Sequence, residues 1–210
     1  RSRGLGDVYK RQDRSSAAIE DEVEEIVRDV RAEVKLPLTV KLGPFFTNVA
    51  AMAKRLAAAG ANGLTLFNRF YQPEIDIELL EMRPNLLLST PHDLRLPMRW
   101  IALLHGRHAL DLAASSGVHR GSDVVRLLMA GACVTQVVSA LLRHGPGRLG
   151  SLEEELRIWL AHHDTSSVAE MIGCMSQLRC PTPQEYERVQ YMRMLQTFQP
   201  VAAVEAPGPW

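Results

Sequence analysis

The chain lacks the features that mark secreted, membrane-spanning and nucleic-acid-binding proteins. Lys+Arg and Asp+Glu are equal at 24 each, so no net charge attracts nucleic acid or an anionic membrane. The longest uncharged apolar run, residues 127–142, is short for a bilayer span and is interrupted by Gly131. Residues 1–30 are charged and contain no apolar signal-peptide core. These absences predict a cytoplasmic protein that binds neither nucleic acid nor a membrane.

Cysteine is also scarce. The three cysteines, Cys133, Cys174 and Cys180, are odd in number and match no metal-ligand spacing. We therefore expect reduced thiols and no metal site. The remaining composition, 46% hydrophobic and 23% charged, is that of an ordinary globular protein.

The two ends of the chain differ from the rest. Residues 1–12 contain four basic residues without apolar periodicity, and the chain has no initiator Met. We interpret residues 1–15 as a non-native or disordered leader, with the natural N-terminal part missing. Residues 200–210 are expected to form a disordered tail.

Between these ends, helical and strand patterns alternate. The predicted strands are 38–42, 63–68, 109–115 and 133–141. A helix starting at Ser16 precedes them, and residues 151–199 read as a helical extension. The proline-rich stretch 69–97 is predicted to be an inserted loop with a short strand at 86–90. Apolar strands alternating with helices indicate a parallel sheet, and four such units form either an open sheet or half of an eight-stranded barrel.

Polar residues stand at the ends of two neighbouring predicted strands. Lys41 ends the first strand and Asn68 ends the second. In a β/α barrel these carboxyl ends form the active-site face, so both side chains are expected in one pocket. Two structural alternatives stay open at this point: the lysine extends to solvent, and the asparagine bonds its own backbone.

Several runs, in order, resemble the C-terminal half of the flavin-dependent dihydroorotate dehydrogenases. They are VKLGPFF, GANGLTLFNRF, LLLSTPHDLRLPMRW and SSGVHRGSDVVRLLMAGACVTQVVSALLRHGP. The tail MSQLRCPTPQEYERVQYMRMLQ resembles the divergent dihydroorotate dehydrogenase-like branch, and the similarity covers residues 16 to 200. The resemblance implies an α/β fold of the (β/α)8 TIM-barrel family, with the last four βα units at 16–150 followed by the helical tail. It also implies FMN, a homodimer and oxidation of a dihydropyrimidine CH–CH bond in pyrimidine biosynthesis.

The resemblance assigns roles to individual residues. Lys41 would lie beside the flavin ring, and Asn68 and Arg69 would contact a small cyclic acid as substrate. Arg69 departs from the family pattern, where a small hydroxyl residue is usual, which places orotate itself in doubt as the substrate. The cofactor-binding positions implied are Lys41, Ser89, Thr90, Ser116, Gly117, Val138 and Ser139. The loops after the last two strands would hold the flavin phosphate, or the glycine there would serve tight strand–helix packing.

No residue of this chain matches the family's general base. That base, a Cys or Ser, lies on a loop of the N-terminal half, so we expect this chain to be a fragment that is inactive alone. Two other readings stay open: a catalytically incomplete module that binds flavin or phosphate, and a different phosphate-binding barrel. A half-barrel would also leave two unpaired strand edges, at 38–42 and 133–141, that favour self-association.

Overall fold

A computed structural model describes residues 14–69, 72–187 and 196. The expected disordered tail lies outside these residues, as does the expected leader apart from residues 14 and 15. Ser15 is the N-cap of the first helix, where its hydroxyl accepts a hydrogen bond from Ala18 N–H at 3.2 Å. The expected helical extension is described as far as residue 187 and at residue 196.

Helices and strands alternate through the first two thirds of the chain. The helices are α1 (Ser16–Glu33), α2 (Val49–Ala58), α3 (Arg95–Leu104), α4 (Gly121–Ala130), α5 (Ser139–His144), α6 (Arg148–His162), α7 (Val168–Met171) and α8 (Gln184–Glu187). The strands are β1 (Thr39–Leu42), β2 (Gly63–Leu66), β3 (Glu74–Asp76), β4 (Glu81–Arg83), β5 (Asp111–Ser115) and β6 (Val134–Gln136). A 3-10 helix (Pro91–Leu94) precedes α3.

Four strands form one parallel sheet in the order β1-β2-β5-β6. The prediction of a parallel sheet covered by helices is therefore confirmed. The central strand β2 is buried along its whole length, whereas β1 and β6 form the two edges. Val134 on β6 leaves 52% of its surface exposed. An edge strand presents a row of backbone N–H and C=O groups that can pair with another strand. The edges of β1 and β6 can therefore each take a further strand.

The core lies between the sheet and its helices. On α2 the buried face consists of Val49, Met52 and Leu56, each at most 1% exposed. Asn48 begins this helix by accepting a hydrogen bond from the backbone N–H of Ala51 at 2.9 Å. Asn is preferred at a helix N-cap and Ala inside a helix, which explains why the helix begins directly after Asn48.

An ion-pair network ties α1 to α2. Glu24 is 8% exposed and accepts a hydrogen bond from Arg55 Nε at 2.6 Å. The same guanidinium reaches Asp21 at 2.5 Å and Glu20 at 3.3 Å. Buried carboxylates need such partners because desolvating an unpaired charge is costly. The network therefore fixes α1 on the outside of the sheet.

One predicted strand is too long, and another is not a strand in the structure. The strand predicted at 133–141 ends at Gln136, and Ser139–His144 forms a helix, since its Ala and Leu residues favour helix over strand. The strand predicted at 86–90 is absent, and a hairpin of β3 and β4 precedes it. Asp76 shapes that hairpin by accepting hydrogen bonds from the backbone N–H groups of Glu78 and Leu79, both at 3.0 Å.

Two further observations concern the chain as a whole. Among the residues that the structure describes, no helix is both long and apolar enough to cross a membrane. All three cysteines are free thiols. Burial raises the pKa of the Cys133 thiol above its usual value, which keeps it protonated at neutral pH.

Candidate functional site

A cleft of about 420 Å³ opens at the carboxyl ends of the four parallel strands. It brings together every predicted site residue except Thr90. The lining residues are Lys41, Asn68, Arg69, Gln72, Asn85, Leu86, Leu87, Leu88, Ser89, Ser115, Ser116, Gly117, Val118, Gln136, Val138, Ser139 and Leu142. Chain segments far apart in sequence converge here because the carboxyl ends of parallel strands meet at one edge of the sheet.

Lys41 and Gln136 meet across this cleft. They belong to β1 and β6, the two edge strands, which are separated by β2 and β5. Lys41 Nζ donates a hydrogen bond to Gln136 Oε1 at 3.5 Å. Neighbouring strands lie about 4.8 Å apart, so two long side chains must extend over the sheet to make this contact. The bond is long and the ammonium has three donors, so most of its donor capacity is free for an anionic ligand.

Asn68 and Arg69 follow β2 directly. The backbone N–H of Asn68 donates to Leu42 O at 2.6 Å, which holds the end of β2 beside the end of β1. Arg69 forms an ion pair with Asp93 at 3.3 Å, and both side chains are 39% exposed. Burial alone would raise the pKa of Asp93, but hydrogen bonds from Thr90 and the nearby Arg69 guanidinium hold it below its usual value. Arg69 is thereby held at the cleft with a negatively charged partner on one side.

Ser89 and Ser139 join two loops at the cleft wall. They are 4% and 9% exposed. Ser139 Oγ accepts hydrogen bonds from the backbone N–H of Ser89 at 2.9 Å and from its hydroxyl at 2.8 Å. His119 Nε2 lies 3.4 Å from Ser89 Oγ on the far side. Both predicted serines are therefore present, but the Ser89 hydroxyl is engaged by the protein itself.

Ser116 and Gly117 form a tight turn after β5. Both have left-handed backbone conformations, with φ of 88° for Ser116 and 78° for Gly117. A Cβ on Gly117 would lie 2.7 Å from Leu94 Cα and still closer to Leu94 N, so only glycine fits there. The glycine thus serves close packing against the 3-10 helix, which was the structural alternative to phosphate binding.

The first N–H groups of α4 already have partners. The backbone N–H groups of His119 and Arg120 donate to Asp123 Oδ2 at 3.1 and 2.9 Å. Gly121 N–H donates to Glu155 Oε2 at 2.5 Å, and this bond chiefly lowers the pKa of Glu155. Because two carboxylates occupy this helix start, an anion there would have to displace them.

Thr90 takes no part in the cleft lining. Its backbone N–H and its hydroxyl both bond Asp93 Oδ2, at 2.7 and 3.0 Å. Both bonds run from Thr90 to the residue three positions later, at the start of the 3-10 helix. Of the serine and threonine predicted to approach the flavin, the structure thus places only the serine at the cleft.

Sequence reasoning missed about half of the lining. The missed residues are Gln72, Asn85, Leu86, Leu87, Leu88, Ser115, Val118, Gln136 and Leu142. Gln136 offered a signal, since it is a polar residue inside an apolar strand. The apolar run within Asn85–Leu88 was predicted as part of a strand at 86–90, whereas the structure gives it no regular secondary structure at the cleft.

The cleft is cationic. In the described part of the chain, the charged residues that line it are Lys41 and Arg69, and no carboxylate does so. The amides and hydroxyls around them supply further donors. Within the described ranges, no group of three or more His, Cys, Asp or Glu side chains is placed to hold a metal ion. This arrangement suits an anionic organic ligand.

Comparison with known proteins connects this cleft to a family. The chain is 32% identical over 157 residues to the catalytic subunit of dihydroorotate dehydrogenase B (NAD(+)) from Geobacter sp. (strain M21). That alignment covers 72% of this chain and 50% of the relative. The protein of the same name from Thermoplasma volcanium is 29% identical over 156 residues, with 73% and 51% covered. No family model matches the chain.

Solved structures show the same fold. Ligand-free DHODH from Eimeria tenella superposes with a TM-score of 0.60 at 20% identity, covering 73% of this chain and 49% of that one. The same protein in complex with ferulenol gives 0.57 at 19% identity, with 73% and 48% covered. The chain spans about half the length of the relatives it matches. The resemblance to the dihydroorotate dehydrogenases that the motifs predict is therefore confirmed over nearly three quarters of this chain.

Proposed function

We propose that this chain forms part of an FMN-dependent oxidoreductase that oxidises the CH–CH bond of a dihydropyrimidine in pyrimidine biosynthesis. The observation that carries the proposal is the cationic cleft at the strand ends of a fold shared with DHODH. The four βα units are proposed to be the last four of an eight-stranded barrel. The open edges of β1 and β6 support this, since a barrel closes by pairing them with further strands.

The donor set of the cleft fits FMN. Lys41 supplies a cation, and Ser116 and Ser139 supply hydroxyls, with no lining carboxylate to repel a phosphate. When bound, FMN would accept a hydride from the substrate. Lys41 would stabilise negative charge on the ring system electrostatically.

The phosphate end of FMN is proposed to lie at the two loops after β5 and β6. The start of α4 is occupied by its own carboxylates, which leaves Ser116, Gly117 and Ser139 as the nearest lining groups. Their backbone and hydroxyl donors suit phosphate oxygens. Val138, between the strand and α5, would contribute contact rather than charge.

Arg69 is proposed to bind a carboxylate of the substrate, with Asn68 beside it. A guanidinium has five N–H donors, and the ion pair with Asp93 leaves donors free for bidentate recognition. The small hydroxyl residue usual at this position would be a weaker anion partner. The substrate is therefore proposed to be an orotate-like or other small cyclic acid.

A second candidate function is binding without turnover. The chain spans half the length of its relatives, and no residue in it matches the family's base. On this alternative the cleft holds flavin or phosphate and does not turn over a substrate. A cytoplasmic location and a homodimer, both expected from the sequence, stay predictions.

Flavin retention tests the proposal. The purified chain is mixed with FMN, desalted and examined by visible absorption. We expect near-equimolar flavin in the wild type and a clear loss in Lys41→Met, which keeps side-chain volume but removes the charge. Lys54→Met is the matched control, because Lys54 is exposed on α2 and does not line the cleft.

The outcomes separate the candidates. Bleaching by dihydroorotate, under anaerobic conditions, of flavin held by a longer chain with an upstream half restored would support the full activity, whereas flavin retained by that longer chain without bleaching would support the alternative. Absence of retained flavin, both from this chain and from a longer chain with an upstream half restored, would reject the FMN proposal.

A further inference from the structure

The hydrogen bonds around Ser139 leave its hydroxyl with one role. Its oxygen accepts two bonds from Ser89, at 2.9 Å from the backbone and 2.8 Å from the side chain. A serine hydroxyl has two lone pairs and one hydrogen. With the Ser89 hydroxyl hydrogen directed at Ser139, both lone pairs of Ser139 Oγ accept, and its own hydrogen is left to donate to a ligand. Ser139 is only 9% exposed, yet it lines the cleft.

His119 stands behind this pair. Its Nε2 lies 3.4 Å from Ser89 Oγ, and the hydrogen of that hydroxyl already points at Ser139. In this arrangement the Nε2–H tautomer of His119 donates to Ser89 Oγ over a long bond. The backbone of His119 is fixed on both sides: its N–H donates to Asp123 at 3.1 Å and its C=O accepts from Arg148 at 2.7 Å.

We propose that His119 and Ser89 are positioning residues that orient the Ser139 hydroxyl as a fixed donor to the phosphate of FMN. The bonds run in one direction, from His119 to Ser89, from Ser89 to Ser139, and from Ser139 to the ligand. This inference rests on the proposed function, since it takes FMN as the ligand. It revises the expected role of Ser89, whose hydroxyl would act through Ser139 instead of on the flavin itself.

The chemistry of the cleft supports an anion as the acceptor. A hydroxyl that can only donate requires a partner that accepts, and phosphate oxygens do nothing else. Among the residues that the structure describes, no carboxylate lines the cleft to take this role. Ser116 and Gly117 line the same cleft as Ser139, in the region assigned above to the phosphate.

Comparing FMN with riboflavin isolates the phosphate. Both flavins are titrated into the 210-residue chain and followed by flavin fluorescence. We expect Ser89→Ala to weaken FMN binding about tenfold, the size of one lost hydrogen bond, and to leave riboflavin binding within about twofold. His119→Leu should weaken FMN binding about threefold, and His119→Gln should restore it, because the glutamine amide nitrogen can donate from a similar position.

Ser176→Ala is the matched control. Ser176 is fully buried like Ser89 but does not line the cleft, so flavin affinity should be unchanged. If circular dichroism shows that Ser89→Ala does not fold, the test rests on His119→Leu and His119→Gln, because His119 is only half-buried.

Three results would overturn the inference. Unchanged FMN affinity in Ser89→Ala and His119→Leu would remove the positioning role but leave the proposed function intact. Equal weakening of FMN and riboflavin would assign the serines to ring binding or to local structure. A wild-type chain that binds neither flavin would overturn the proposed function, and this inference with it.

Discussion

Two adjacent residues in the turn after β5 should respond to substitution in opposite directions. Ser116 and Gly117 both adopt left-handed backbone conformations, but only the second is a glycine. Ser116→Gly should therefore stabilise the protein, and Gly117→Ala should destabilise it. Both changes are small and lie in the same turn, so each serves as a control for the other.

The magnitudes follow from the local geometry. A non-glycine residue with left-handed backbone costs about 1–2 kcal/mol, and a glycine loses about 0.5–1 kcal/mol more backbone entropy on folding. Ser116→Gly should thus gain roughly 0.5 kcal/mol. Gly117→Ala incurs the conformational cost and also places its Cβ 2.7 Å from Leu94 Cα. Since backbone cannot move aside as a flexible side chain can, we expect a total loss of about 3 kcal/mol or more.

Urea unfolding followed by tryptophan fluorescence measures both variants. With a slope of about 2 kcal/mol per molar urea, Gly117→Ala should lower the midpoint by about 1.5 M. Ser116→Gly should raise it by about 0.25 M. A Gly117→Ala midpoint within about 0.3 M of the wild type would refute the close packing of Leu94 on the turn. Because Gly117→Ala destabilises the fold, a loss of flavin binding in that variant would also follow from unfolding. Lys41 is therefore the better residue for testing the site.

Three further predictions concern single residues. Ser176→Ala should leave the free energy of unfolding unchanged or raise it by up to about 1 kcal/mol, because its buried hydroxyl has no hydrogen-bond partner among the described residues; a clear loss in urea unfolding would contradict this. Asp93→Asn should lower stability more at pH 7 than at pH 3. The pKa of Asp93 is lower in the folded state than in the unfolded state, so the carboxylate stabilises the fold above its unfolded-state pKa. This stabilisation is lost as the pH falls through the folded-state pKa. Equal losses of stability at both pH values would argue against the role of the charge. Val134→Lys should reduce self-association in light scattering, since Val134 is 52% exposed on the edge strand β6, and a wild type that is monomeric throughout would contradict the open-edge argument.

Much of the fold could be predicted from periodicity. The apolar face of α2 and the central strands β2 and β5 have strong local patterns, and the structure confirms them. The boundary of β6 was predicted too late, because valines 137 and 138 extend an apolar run that contains no break between strand and helix. The β3–β4 hairpin was missed because strands of three residues are too short for alternation to be visible.

The candidate site could likewise be predicted only in part from the sequence. Lys41 and Asn68 could be assigned to one pocket because strand ends converge in any parallel sheet, whatever the details of packing. The engagement of Ser89 with Ser139 could not be predicted, since the two lie 50 residues apart and no local pattern records their contact. The same holds for the close approach of Leu94 to Gly117.

The sequence by itself determined the alternation of strands and helices, the parallel sheet and the residues that stand at its strand ends. These depend on side-chain hydrophobicity and on backbone preferences over a few neighbouring residues. Only the tertiary structure decided which hydroxyls face the cleft, which are bound by the protein, and that the start of α4 is occupied by Asp123 and Glu155. Hydrogen bonds act over about 3 Å, so the partner of each donor is settled only when distant segments have packed together.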